Sequence, residues 1–250
     1  MLHHEISGNG KKPLVLLHGF MENTTIWDEM EAHLSKDFTL IKIDLPGHGK
    51  SKVYQEIHTV ELMAEKVKEV IDALKLEKIN LLGHSLGGYV SLAFAEKFPE
   101  ILESMTLFFS TTVADDEEKK AIRRRSIAVI DENFETFVKT SIPNLFSNNE
   151  KDILEGKIEL AKNIAKSTNK EGVKAAQLGM AERPDRTEIL ENLDAKILII
   201  AGKYDNAVKT ENLLKIIPEK TNIKTYVLDC GHNGHWEKPT ICAEIINTEL

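Results

Sequence analysis

The chain has few cysteines and no long apolar run. Its 250 residues include only two cysteines, Cys230 and Cys242, and no C-x-x-C spacing, so neither a disulfide framework nor a cysteine-based metal site is expected. No apolar run approaches the ~20 residues that cross a bilayer. Residues 1–5 lack the basic and apolar regions of a signal peptide. We therefore expect a cytoplasmic protein with no membrane partner.

The chain also has no excess of basic residues. Lysine and arginine total 32 against 40 aspartates and glutamates, which gives a formal net charge of −8. The longest basic cluster is Arg123, Arg124 and Arg125, and the acidic residues 115–118 precede it. A nucleic-acid partner is not expected, because no extended basic surface is available to neutralise phosphates.

Short apolar runs alternate with segments of helical periodicity, which lie at residues 24–35, 59–74, 85–98, 206–217 and 239–248. The runs are continuous rather than strictly alternating, which is typical of strands that are covered on both faces. This order predicts an α/β protein with a mostly parallel sheet flanked by helices, preceded by an antiparallel edge strand at residues 2–6. The six predicted parallel strands lie at residues 14–17, 38–43, 79–82, 105–109, 197–200 and 223–227.

One long interval interrupts this alternation. Residues 111–192 contain no convincing strand pattern, but four stretches within them have helical periodicity. No repeat or Gly/Ser linker separates a second domain. We interpret residues 1–250 as a single domain with a helical cap inserted at about 111–192, over one end of the sheet. The helical stretches are residues 117–130, 133–139, 150–166 and 170–180.

The sequence Gly83-His84-Ser85-Leu86-Gly87 follows a predicted buried strand and precedes an almost wholly apolar helix. A G-x-S-x-G sequence between a strand and a helix predicts a nucleophile elbow, in which a sharp turn presents the serine hydroxyl. The same turn places the amide of the next residue, Leu86, where it could stabilise an oxyanion.

A serine nucleophile needs a base and a carboxylate that orients it. In a parallel sheet such groups gather where the strands end at their carboxyl termini. Asp205 and His232 each follow a predicted strand there. Asp115 and Asp116 are alternative acids, and His235 is an alternative base.

These motifs together resemble the α/β-hydrolase superfamily, in its serine-nucleophile, esterase-like branch. The resemblance covers essentially the whole chain and includes His18-Gly19-Phe20, the segment 44–51, and the terminal motif from Gly231-His232 through His235-Trp236-Glu237-Lys238-Pro239. It implies a triad of Ser85, Asp205 and His232, whose chain order the superfamily uses. It also implies that the Phe20 amide completes an oxyanion hole with Leu86.

The remaining candidates concern the pocket and the other polar residues. Phe20, Met21, Trp27 and Phe109 could line an apolar substrate pocket or belong to the core. If one of Arg123, Arg124 and Arg125 points inward, it would select a carboxylate-bearing substrate. The polar residues of segment 44–51 are expected to satisfy backbone groups, and His3, His33 and His58 are expected at the surface.

The expected function is a cofactor-independent serine hydrolase that cleaves a small-molecule ester, thioester or lactone through an acyl-enzyme. No metal or cofactor is expected, because no cofactor fingerprint or metal-ligand cluster is present in the sequence. Two alternatives remain open: a C–C bond hydrolase or lyase on the same fold, and a ligand receptor that keeps the triad with negligible turnover. The sequence does not identify the substrate or the oligomeric state.

Overall fold

The computed structural model describes residues 1–34 and 36–250, and its centre is a seven-stranded sheet. All six predicted parallel strands are confirmed, most with one to three additional residues. The strands are β1 (His4–Ser7), β2 (Lys12–Leu17), β3 (Phe38–Ile43), β4 (Ile79–His84), β5 (Leu102–Phe108), β6 (Lys196–Gly202) and β7 (Ile223–Leu228).

The strand order across the sheet is β1-β3-β2-β4-β5-β6-β7. Only β1 is antiparallel: it pairs with β3 at the edge, with His4 opposite Ile43. The other strands pair in parallel, and β4 lies in the middle. The predicted fold class is therefore confirmed, and the carboxyl ends of six strands meet at one edge of the sheet.

Helices cover both faces of the sheet. Alternate residues of β2 illustrate this: Val15 and Leu17 pack into one buried cluster, while Leu14 and Leu16 pack into the other. This burial on both faces explains why the strands read as continuous apolar runs. The helices are α1 (Asp28–Glu31), α2 (Val60–Ala73), α3 (Leu86–Lys97), α4 (Glu117–Ser141), α5 (Glu155–Ser167), α6 (Lys170–Glu182), α7 (Glu188–Asn192), α8 (Thr210–Leu214), α9 (Gly234–Glu237) and α10 (Pro239–Glu249).

Two predicted helices, at 24–35 and 206–217, are much shorter in the structure, and the one predicted at 150–166 begins only at Glu155. Residues 24–34 form a 3₁₀ turn (Thr24–Trp27) followed by the short α1, and the last residue of the predicted helix, Ser35, lies outside the described residues. The helix predicted at 206–217 is reduced to α8. The reason is local, because the Asp205 carboxylate binds the amides of Ala207 and Val208 and so holds a turn where the helix was expected to start.

Residues 111–192, here called the inserted segment, are all described and contain α4 to α7 but no strand. The two helices predicted at 117–130 and 133–139 join as one element with a kink at Asn133, whose φ of −155° is not helical. The Asn133 side chain accepts a hydrogen bond from the Thr136 amide at 2.9 Å, which caps the second half of the helix. Among the described residues, no helix is long and apolar enough to cross a membrane.

Candidate active site

Ser85 occupies the sharp turn between β4 and α3. Its φ of 49° and ψ of −109° are unusual for a residue with a side chain. The conformation is held on both sides, because the Ser85 amide donates to the Phe108 carbonyl at 3.0 Å and the Ser110 hydroxyl donates to the Ser85 carbonyl at 2.8 Å. A Cβ on Gly83 would lie 2.2 Å from the Gly87 carbonyl oxygen, so the turn requires the flanking glycine. The structure thus has the elbow geometry that the sequence predicts.

Asp205 and His232 lie together beyond the ends of β6 and β7. The Asp205 Oδ2 atom is 2.7 Å from His232 Nδ1, while its Oδ1 accepts the amides of Ala207 at 2.7 Å and Val208 at 2.9 Å. Burial alone would lower the pKa of His232, but the charge of Asp205 and its hydrogen bond outweigh burial and raise it. The pair leaves the His232 Nε2 atom as the one that can accept a proton.

The loop that carries His232 is anchored by Glu237, a residue that the sequence analysis did not single out. Its carboxylate accepts the amides of Gly231 at 2.8 Å, Ser147 at 3.1 Å and Asn233 at 3.2 Å. Burial raises the pKa of Glu237 despite these bonds. Glu237 therefore joins the histidine loop to the inserted segment. Its place after Trp236 in the terminal motif is the only sequence signal for this residue.

The two alternative acids, Asp115 and Asp116, bind groups other than a histidine. The Asp115 carboxylate accepts from Arg183 Nη2 at 2.8 Å and also binds Arg123 Nε, and these two guanidinium groups lower the pKa of Asp115 to about 2 against the opposing effect of burial. Asp116 caps α4 by accepting the Lys119 amide at 2.7 Å. Neither acid is paired with His232.

His235 is fully buried but differs from His232 in its contacts. Neither of its ring nitrogens makes a hydrogen bond to any part of the chain that the structure describes. Burial, reinforced by the neighbouring His84, lowers the pKa of His235 well below its usual value. Without a carboxylate that fixes its ring through a hydrogen bond, His235 lacks the arrangement of a catalytic base.

A cavity of about 390 Å³ opens beside Ser85 and His232. Phe20 and Met21 line it from the loop after β2, so Met21 lies where the sequence analysis placed it. Trp27 and Phe109 do not line this cavity, which corrects their assignment as pocket residues. Both are completely buried in the core, where the Trp27 and Phe109 rings each pack against Phe108.

The inserted segment supplies the opposite wall of the cavity. Lys119 and Arg123 are one helical turn apart on α4 and both line the cavity, together with Gln177 and Met180 of α6. Arg123 Nη1 donates to the Gln177 side chain at 3.1 Å, which holds the guanidinium toward the site. Arg124 and Arg125 are exposed. One of the three arginines is therefore directed inward.

The amides of Phe20 and Leu86 are the expected donors of the oxyanion hole. Neither amide has a hydrogen-bond acceptor within residues 1–34 and 36–250, so both are available to a ligand. A Cβ on Gly19 would lie 2.7 Å from Glu22 Oε2 and 2.7 Å from His84 Nδ1. The glycine thus permits the loop after β2 to approach the elbow closely.

A second buried polar cluster adjoins the first: Glu22, His84 and His235. The Glu22 Oε2 atom is 2.8 Å from His84 Nδ1, and Glu22 Oε1 is 3.9 Å from His235 Nε2. Of the described residues, only these three are grouped closely enough to hold a metal ion. A cation would have to replace the Glu22–His84 hydrogen bond, so this donor set fits an internal hydrogen-bond network better than a metal. His84 belongs to the elbow motif of the sequence, whereas no sequence motif points to Glu22.

Segment 44–51 has the structural role that the sequence predicts. Asp44 accepts the amides of Thr24 and Lys50, each at 2.9 Å, and His48 Nδ1 lies 3.1 Å from the Pro46 carbonyl. The expectation for His58 is wrong: its side chain is fully buried. Its ring lies 3.1 Å from the Pro46 carbonyl and fixes the neighbouring loop.

Residues 12–239 match the family model of the alpha/beta hydrolase fold, and the chain belongs to that family. A thermophilic esterase from Thermogutta terrifontis, solved with malate bound, is 33% identical and superposes with a TM-score of 0.92 over 99% of this chain and 92% of that chain.

Two relatives with named activities match over most of their length. A putative 2-succinyl-6-hydroxy-2,4-cyclohexadiene-1-carboxylate synthase from Bacillus subtilis is 28% identical, with 97% of this chain and 91% of that protein covered. A 2-hydroxy-6-oxononadienedioate/2-hydroxy-6-oxononatrienedioate hydrolase from Escherichia coli is 26% identical, with 94% of this chain and 86% of that protein covered.

Proposed function

We propose that this protein is a serine hydrolase that cleaves a carboxylic ester, thioester or lactone through an acyl-enzyme. The observation that supports this most directly is the Asp205–His232 hydrogen bond of 2.7 Å beside a cavity that Ser85 also lines. Ser85 would attack the carbonyl carbon, and His232 would take the serine proton and return it to the leaving group. Water, activated by the same histidine, would then release the acid.

The proposed reaction also develops a negative charge that must be stabilised. As the tetrahedral intermediate forms, its oxygen becomes negative and needs fixed donors about 3 Å away. The amides of Phe20 and Leu86 are free to serve as those donors, and neither requires a side chain to move. The proposal thus needs no metal or cofactor for any of its steps.

We further propose that the acyl or alcohol part of the substrate carries a carboxylate. Of the charged residues in the inserted segment, Lys119 and Arg123 line the cavity, whereas Asp115 and Arg183 lie behind them, outside the lining. Asp115 pairs with both Arg123 and Arg183, so its one negative charge is shared between two arginines. The wall therefore has an excess of positive charge. Arginine is well suited to binding a carboxylate.

The compounds named for the relatives agree with an acidic substrate. The Bacillus subtilis protein is named for a cyclohexadiene carboxylate, the Escherichia coli hydrolase for dioates, and the Thermogutta terrifontis esterase was solved with malate, a dicarboxylate. The Escherichia coli relative also supports a second candidate function, hydrolysis of a C–C bond in a diketone acid by the same residues.

The proposal is tested by labelling and by turnover. A serine-directed phosphonate should modify Ser85 and no other residue, as located by peptide mass spectrometry. A panel of p-nitrophenyl esters of rising chain length, with neutral and carboxylate-bearing acyl groups, should be hydrolysed with multiple turnovers. Labelling at another serine would contradict the assignment of the nucleophile.

The same assays separate the alternatives. Cleavage of a vinylogous diketone acid with little activity on any ester would favour the C–C hydrolase. A ligand receptor would be labelled at Ser85 but would show a single slow turnover with both substrate types. Repeated turnover of esters, with the carboxylate-bearing ones preferred, is the result that we expect.

A further inference from the structure

The Glu22–His84 pair lies at the junction of three segments that the proposed chemistry uses. Glu22 follows the oxyanion loop, His84 is the residue before the nucleophile, and the pair reaches the backbone of His232. Both side chains are buried in the protein, yet both contribute to the wall of the cavity beside Ser85. No step of the proposed reaction uses either side chain.

Glu22 fixes the oxyanion loop. Its Oε2 atom accepts the Gly19 amide at 2.6 Å, one residue before the amide assigned to the oxyanion hole. Met21, between Phe20 and Glu22, has a φ of 59°, so the chain turns back sharply and brings the carboxylate under its own loop. The orientation of the Phe20 amide therefore depends on a side chain two residues further along.

His84 connects this carboxylate to the base. Its Nε2 atom lies 3.0 Å from the His232 carbonyl oxygen, which can only accept, so Nε2 must donate. Its Nδ1 atom shares one proton with Glu22 Oε2 at 2.8 Å. The imidazole of His84 thus bridges the Glu22 side chain and the backbone of the catalytic histidine, with its ring centroid 5.0 Å from that of His232.

We propose that Glu22 and His84 are positioning residues, a hydrogen-bonded pair that sets the oxyanion loop and the His232 loop in register with Ser85. The inference rests on the proposed serine-hydrolase function. In this role the pair takes part in no proton transfer. It acts through three hydrogen bonds: between Glu22 and the Gly19 amide, between Glu22 and His84, and between His84 and the His232 carbonyl. A neutral side chain of the same shape should therefore replace the carboxylate.

The test compares Glu22→Ala with Glu22→Gln on a p-nitrophenyl ester that the wild-type protein hydrolyses. The alanine variant loses the Gly19 and His84 contacts, and we expect kcat to fall about 10- to 100-fold with KM within about threefold, since small displacements of reacting groups have effects of this size. Gly19 and His84 both contact the Oε2 atom. A glutamine oxygen at that position can accept the Gly19 amide and an Nδ1–H of His84, so we expect this variant to retain kcat within about threefold. Equal losses in the two variants would overturn the proposal.

Asn80→Ala is the matched control for a loss of stability. Asn80 is buried at the opposite end of β4 and bonds the Pro13 carbonyl at 3.3 Å and the Ser104 hydroxyl at 2.6 Å. We expect a lower Tm but an unchanged kcat. If this variant lost kcat as Glu22→Ala does, the effect at Glu22 would be structural only, and the proposal would fail.

A double substitution tests whether the pair acts as a unit. His84→Ala should reduce kcat about as much as Glu22→Ala, and the double variant should be no worse than the worse single variant, because the bridge is already broken. If the fold-loss of kcat in the double variant were the product of the two single losses, the two residues would not share one role.

One readout does not depend on activity. Hydrogen exchange of the Gly19 amide, measured by NMR, should accelerate in Glu22→Ala but not in Glu22→Gln. If the wild-type protein were neither labelled at Ser85 nor active, the proposed function would fail, and the exchange rates would still decide whether Glu22 holds the loop. Unchanged exchange in Glu22→Ala would refute the role of Glu22 whatever the activity.

Discussion

The edge of the sheet and the inserted segment face the same cavity but hold their functional groups in different ways. At the edge, Ser85 and Asp205 are fixed by backbone hydrogen bonds, to the Phe108 carbonyl in one case and to the Ala207 and Val208 amides in the other. In the inserted segment, Arg123 is held by side chains of Asp115 and Gln177.

The difference indicates a division of labour. Groups that are fixed by hydrogen bonds to the backbone keep their geometry whatever the neighbouring side chains are, which suits atoms that react. Groups fixed by other side chains can change by single substitutions, which suits recognition. We therefore expect substitutions at the edge to reduce kcat and substitutions in the inserted segment to change KM and selectivity.

The largest effect is expected for Ser85→Ala. Removing the nucleophile should lower kcat by at least about three orders of magnitude, because the members of a triad act as a unit. The Tm should change little, since the Ser85 contacts to Phe108 and Ser110 are made by the backbone. Steady-state hydrolysis of a p-nitrophenyl ester measures the loss, and an active alanine variant would contradict the assignment.

The two neighbouring histidines should differ strongly. His232→Ala should lose about as much kcat as Ser85→Ala, whereas His235→Phe should retain kcat within about tenfold, because of these two histidines only His232 is hydrogen-bonded to a carboxylate. His235 has two buried nitrogens without hydrogen bonds among the described residues, so an apolar ring should not lower the Tm. Similar losses in both variants would mean that loop packing, rather than one imidazole, determines the rate.

The pH dependence tests the pairing of His232 with Asp205. Neutral His232 accepts the serine proton, so activity should fall as the pH drops through its pKa. Because Asp205 raises that pKa above 6.5, we expect the acid limb of kcat/KM to lie above pH 6.5. In Asp205→Asn the limb should move to lower pH, alongside a lower kcat. A profile that stays flat down to pH 5 would contradict the role of His232.

The sequence predicts the sheet well because each strand is a continuous apolar run that is covered on both faces. It also locates the elbow, because only glycine permits the approach of Gly83 to Gly87. It overestimates the helix at 206–217, since the hydrogen bonds of Asp205 to the following amides compete with helix formation there.

The features that the sequence does not predict depend on contacts between residues that are far apart in the chain. Nothing within the elbow indicates that His84 would contact Glu22, 62 residues earlier in the chain. Trp27 and Phe109 show a second reason. A large apolar residue near a motif can belong to the core or to a pocket, and only the packing decides which. Which of three consecutive arginines faces inward likewise depends on how α4 lies against α6.

The smallest expected effect concerns selectivity in the inserted segment. Arg123→Ala should raise KM for a carboxylate-bearing ester about tenfold, the size expected for one partly exposed charge-assisted hydrogen bond, and should leave neutral esters within about twofold. Asp115 would not be left as an unpaired buried charge, because Arg183 Nη2 still donates to it at 2.8 Å. The ratio of kcat/KM values for matched anionic and neutral esters is the measurement.

Arg124→Ala is the matched control for that experiment, because Arg124 is the next residue on α4 and is exposed, outside the set of residues that line the cavity. It removes the same charge from the protein as Arg123→Ala does, so long-range attraction of anionic substrates falls by a similar amount in both variants. A larger effect of Arg123→Ala must then come from contact with the substrate. If the two variants gave the same ratio, Arg123 would contribute only to the general field, and the division between a reactive sheet edge and a selective inserted segment would lose its support.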